Sequence, residues 1–89
     1  MAHLFFTQQL ARFTRVPQLE SEASDLRAAL DTAFAVNPRL RSYVLDDQGA
    51  LRANVTIFID GRRCHNTQRL DDPLRPDSQV YVLQALSGG

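Results

Sequence analysis

The sequence predicts an α+β domain of two layers, a mixed sheet of four to five strands packed on one main helix. Leu26, Ala29, Leu30, Ala33 and Phe34 recur at helical spacing and form one continuous apolar face. Asn54-Val55-Thr56-Ile57-Phe58-Ile59 and Gln79-Val80-Tyr81-Val82-Leu83 are short runs rich in β-branched and aromatic residues, which suit strands. A helix that is apolar on one face must lie on something, and a sheet is the partner this chain can offer.

Leu4-Phe5-Phe6-Thr7 reads as a buried first strand, with Leu4 and Phe6 on one face and Phe5 on the other. Residues 8–15 lack clean alternation and read as a connection. Pro17-Gln18-Leu19-Glu20-Ser21-Glu22 is more polar and suits an edge strand, where an initial proline is tolerated. The helix is expected over 24–36, with Ser24 as N-cap and Asp25 against the positive end of the helix dipole. Asn37-Pro38 ends it, because proline disfavours helical geometry in the residue before it. Tyr43-Val44-Leu45 follows, then the turn cluster Asp46-Asp47-Gln48-Gly49. After the strand at 54–59, Asp60-Gly61 signals a type I′ hairpin, returning through Arg62-Arg63-Cys64-His65. Leu70 and Leu74 anchor a turn, and Pro76-Asp77-Ser78 leads into the last strand. If Val55, Ile57, Ile59, Val80 and Val82 face the helix, Phe58, Tyr81 and Leu83 share the outer face.

All ten basic side chains are arginine, and they balance ten acidic ones for a formal net charge of zero. A nucleic-acid or membrane-surface protein would show a basic excess, so neither partner is expected. At 44% hydrophobic and 22% charged, the 89 residues suit one ordinary globular domain, 1–89. No apolar run approaches the ~20 residues that span a bilayer. Met1-Ala2-His3-Leu4 has neither the basic start nor the apolar stretch of an export signal. A lone cysteine suits a reducing cytoplasm, the expected location. With Cys64, His3 and His65 the only soft ligands, no metal site is expected.

Cys64-His65 invites a nucleophile–base reading, but neighbours on a strand point to opposite faces and cannot form the required hydrogen bond. Asp46-Asp47 and Asp71-Asp72 sit beside turn signals, where aspartate bonds to local backbone. The glycines are Gly49, Gly61, Gly88 and Gly89, so there is no phosphate-cradling loop. The chain does not read as an enzyme.

The tail carries the functional signal. Residues 84–89 follow the last strand directly and can extend ~20 Å from the sheet at ~3.3 Å per residue. A flexible tail ending in Gly88-Gly89 has no Cβ at its tip, so it can thread a narrow channel and deliver a carboxylate. That carboxylate is ionised at neutral pH and needs activation by another protein before it can react.

The one-helix strand order, the opening Leu4-Phe5-Phe6 and above all the ending resemble the MoaD/ThiS sulfur carriers, ubiquitin-like β-grasp proteins. The family's closing pattern is matched by Asp72-Pro73-Leu74, Pro76-Asp77-Ser78, Val80-Tyr81-Val82-Leu83 and Gly88-Gly89. The length, with a hairpin between helix and last strand, is most similar to the small subunit of molybdopterin synthase.

The resemblance implies that a partner E1-like enzyme uses ATP to adenylate the carboxylate of Gly89, the chain itself binding no cofactor. A sulfurtransferase or persulfide donor then displaces AMP, leaving a thiocarboxylate whose sulfur goes to a biosynthetic acceptor such as a molybdopterin synthase large subunit. Cysteine, thiamine or secondary-metabolite synthesis would use the same chemistry. Gly88 gives channel clearance; Leu86, Ser87 and Leu83 would meet partners, with Tyr81 and Phe58 beside Leu83. Two other classes remain open: a ubiquitin-like modifier attached to lysines through Gly89, and a non-covalent ubiquitin-like binding module. A chain without lysine cannot form lysine-linked chains of its own kind.

Overall fold

The computed structural model describes residues 1–6 and 18–84. The expected connection at 8–15 and the tail residues Leu86, Ser87, Gly88 and Gly89 lie outside the described residues. Strand β1 (Ala2–Phe6) pairs antiparallel with β2 (Gln18–Ser21). Two helices follow, α1 (Leu26–Val36) and α2 (Pro38–Val44), then β3 (Val55–Ile59), β4 (Arg62–Arg63) and β5 (Gln79–Gln84). The last strand inserts at the centre, parallel to β1 and antiparallel to β3, giving the order β2-β1-β5-β3-β4. This five-stranded mixed sheet, packed on one main helix, is the fold the sequence predicts.

Alternation settles which face of β1 is inside. Ala2, Leu4 and Phe6 are buried, while His3 and Phe5 are only half-buried. Leu4, Ile57, Val80 and Val82 meet Leu26, Ala29, Leu30, Ala33 and Phe34 of α1 in one core. Leu70 and Leu74 are also buried, as anchors of the 70–74 segment.

The N-cap of α1 is Asp25, one residue later than expected. Asp25 is extended, and its carboxylate accepts a 2.8 Å hydrogen bond from Ala28 N–H. The shift has a long-range cause. Leu74 N–H donates to the Ser24 carbonyl, and Leu26 N–H to the Asp72 carbonyl, so 24–25 is held as extended backbone against the 72–74 segment. Pro38 both ends α1 and starts α2, which the sequence reading did not anticipate. Asn37 accepts from Arg39 N–H, Pro38 occupies the first turn where no N–H is needed, and Leu40 and Val44 bury the inner face.

The β3–β4 turn has Asp60 at φ 52° and Gly61 at φ 85°, the positive pair that a type I′ hairpin requires. The return strand stops sooner than expected. Cys64 N–H still reaches the Ile57 carbonyl at 2.9 Å, but His65 N–H turns to the Asp72 carboxylate at 2.9 Å. Arg27 of α1 then ties two loops to the helix, its guanidinium donating to the carbonyls of Gly49, Gln68 and Arg69 at 2.9–3.0 Å.

Candidate functional site

The register builds a continuous outer row. Phe5 of β1 lies opposite Tyr81 of β5, and Tyr81 lies opposite Phe58 of β3. Phe58 in turn faces Arg63 of β4, so the row ends on a cation at the sheet edge. The Phe5 and Tyr81 rings stack with centroids 4.7 Å apart and planes at 15°. Along β5, Leu83 comes two residues later on the same face, opposite Thr56. Phe58 and Leu83 are half-buried and Tyr81 is 40% exposed, too open for a residue of a closed core. His3 continues the ring ladder below Phe5, its Nδ1 3.7 Å from Glu20 Oε1.

Phe58, Tyr81 and Leu83 are therefore brought together on the face that the strand parity predicts. Phe5 is an addition. The sequence shows it opposite Leu4 and Phe6, but only the parallel pairing of β1 with β5 puts it against Tyr81. Strand β5 ends one residue beyond Leu83, at Gln84, which pairs with Val55, and Gly89 lies five residues further along the sequence.

The other candidates resolve into structure. Cys64 is half-buried and packs against the core, while His65 is exposed. Burial pushes the Cys64 thiol above its ordinary range, and the nearby Asp72 charge adds to the shift, the reverse of an activated nucleophile. Asp72 receives His65 N–H, and Asp46 receives Gln48 N–H and Ala50 N–H at 2.8 and 3.0 Å. Both act as local turn staples. Among the described residues, no group of three or more His, Cys, Asp or Glu side chains is placed to hold a metal ion. No described helix is long and apolar enough to cross a membrane.

No family model matches the sequence, and the search of curated proteins gives no match. Solved structures do match along the full chain. SAMP1 from Haloferax volcanii superposes with a TM-score of 0.85 at 19% identity, covering 99% of this chain and 98% of that one. A chain of the Amycolatopsis orientalis BexX/CysO complex gives 0.85 at 11% identity, with 100% of both chains covered. Small archaeal modifier protein 1 from Methanosarcina acetivorans gives 0.82 at 18% identity, covering 99% and 95%. The fold is thus the ubiquitin-like β-grasp, shared with structures that include small archaeal modifier proteins.

Proposed function

We propose that this chain is a ubiquitin-like sulfur carrier whose reacting group is the carboxylate of Gly89. One observation carries the reading: the central strand β5 runs through the aromatic outer face and is followed within five residues by Gly88-Gly89. Val80 and Val82 are wholly buried, so the strand is a rigid base, while the end of the chain is bare backbone able to enter a partner's active site.

The chemistry then divides between proteins. A partner E1-like enzyme binds ATP and joins its AMP moiety to the Gly89 carboxylate, releasing pyrophosphate. The outer sulfur of a persulfide on a sulfurtransferase or other donor attacks the acyl carbon and expels AMP. A thiol then cleaves the resulting acyl disulfide, forming a new disulfide with the donor and freeing the thiocarboxylate. The thiocarboxylate sulfur passes to an acceptor enzyme while water restores the carboxylate. This chain contributes the carrier group and its docking face. The pathway proposed first is molybdopterin synthesis. Intact-protein mass spectrometry tests the carrier step: with ATP, the activating enzyme and a sulfur source, the chain gains the mass of one oxygen-for-sulfur exchange.

A second reading is favoured by the neighbours named as archaeal modifiers: attachment of Gly89 to lysines of other proteins. It predicts higher-mass adducts in cell extract that survive reduction and strong base-free denaturation. A thiocarboxylate alone would not produce them.

A further inference from the structure

We infer that the cleft between the β3–β4 turn and the 73–78 segment docks an acidic, extended protein segment. The main part has a volume of about 500 Å³, with Ile59, Pro73 and Leu74 as apolar lining and Arg62 and Arg75 as charged walls. Past Arg62 it continues into a smaller cleft of about 210 Å³ beside Arg63, His65 and Asp72.

Its place in the fold separates it from the carrier site. Ile59 pairs with Val80 near the start of β5, whereas Gln84 pairs with Val55 at the other end. That is a separation of ~13 Å along the sheet at ~3.3 Å per residue. A segment lying in the cleft leaves the end of β5 open to a second protein.

Charge selects the occupant. Arg62 and Arg63 are exposed, and neither guanidinium has a hydrogen-bond or ion-pair partner among the described residues. Arg75, with its side chain 79% exposed, has only a long 3.8 Å contact to Asp60. The two lining carboxylates are turned to their own chain. Asp72 receives His65 N–H, and Asp60 receives Gln79 N–H and the Ser78 hydroxyl. The Arg62 and Arg75 guanidinium groups of the main part are thus left to recognise carboxylates, with Arg63 beside the smaller cleft. The apolar lining fits aliphatic side chains alternating with acidic ones along an extended peptide.

The test uses the full chain labelled with ¹⁵N and a short capped peptide alternating glutamate with leucine and alanine. Saturable shifts are expected at the amides of Ile59, Arg62, Arg63 and Arg75, weakening as salt rises. Arg62→Glu should raise the peptide Kd about tenfold, roughly 1.4 kcal/mol, with the dispersed spectrum retained because Arg62 is exposed. Arg39→Glu, on α2, should leave Kd unchanged, and a peptide with glutamine for glutamate should not bind. The proposal is overturned by shifts centred on Phe5, Tyr81 and Phe58, by equal sensitivity to Arg39→Glu, or by tighter binding of an RNA oligonucleotide at the same amides. No ATP, sulfur source or activating enzyme enters the experiment, so its outcome is independent of the fate of Gly89.

Discussion

Phe5 and Tyr81 belong to strands far apart in sequence, yet their rings stack at 4.7 Å because β1 and β5 run parallel in the middle of the sheet. The contact links the first strand to the last and fixes the orientation of Tyr81 on the outer face. Such a pair contributes ~0.5–1.5 kcal/mol beyond area burial. A double-mutant cycle of Phe5→Ala and Tyr81→Ala, read by urea unfolding, should return a coupling energy in that range. Additive single effects would mean that the rings are neighbours without mutual stabilisation.

Leu83 tests the same face without the aromatic stack. It is half-buried opposite Thr56 and points away from α1, so an arginine there can extend into water. Leu83→Arg should retain the native circular dichroism spectrum. Under the carrier reading it should weaken binding to the activating enzyme by at least ~2 kcal/mol, the cost of losing an apolar anchor. A variant that unfolds, or that binds as wild type, removes Leu83 from the docking face.

Leu30 makes the opposite case. It is 1% exposed at the centre of the α1 face, against the buried side of the sheet. Leu30→Ala should destabilise the domain by ~2–5 kcal/mol through lost burial and a residual cavity. That is a large share of the ~5–15 kcal/mol typical of a whole domain. Calorimetry should show the loss, and a near-neutral result would place the main core contacts elsewhere.

Much of this was legible because it is local. Alternation in 54–59 and 79–83 put Phe58, Tyr81 and Leu83 on one face, and Asp60-Gly61 announced its turn through backbone preference alone. The misses were non-local or superimposed. Ser24 and Asp25 are both good caps, and the choice fell to Asp25 because Leu74 N–H holds the Ser24 carbonyl in extended geometry. Pro38 gave a stop signal and a start signal at one position, and the stop masked α2. Phe5 carried the right parity, but no local pattern says that β1 will lie beside β5.

Asp60 gives the fold a small dependence on pH. The hydrogen bond from Gln79 N–H holds its carboxyl below the usual range, burial opposes this, and the Ser78 hydroxyl and Arg75 add to the lowering. A depressed folded pKa contributes stability that is present above the unfolded value, ~3.9, and lost as pH falls through the folded value. Asp60→Asn is the clean probe, since asparagine tolerates the positive φ of 52°. At neutral pH the variant should melt a few degrees lower; as pH falls through the depressed folded value the two curves should converge. The side chain is 34% exposed, so solvent screening keeps the effect small. A gap that persists unchanged into acid would assign it to shape rather than charge.

The carrier proposal makes its sharpest demand at the end of the chain. If Gly89 carries the reacting carboxylate, its position matters as much as its identity. Deleting it draws the carboxylate back by ~3.3 Å, outside the tolerance for in-line attack on a bound nucleotide. Adding one alanine after it carries the group past the same point. Gly88→Val keeps the length but adds a branched side chain where a channel shaped around bare backbone has no room. Each change lies beyond β5 and the core it anchors, so melting temperature should stay within a degree or so of wild type, a difference of roughly 0.2 kcal/mol. Sulfur transfer should nevertheless fall at least ~100-fold in all three variants, the scale of loss from a misplacement of about 1 Å. Mass spectrometry of each protein after incubation with ATP, activating enzyme and sulfur source reads the outcome directly. An alanine-extended chain that still exchanges oxygen for sulfur, with its added residue intact, would remove Gly89 from the reaction.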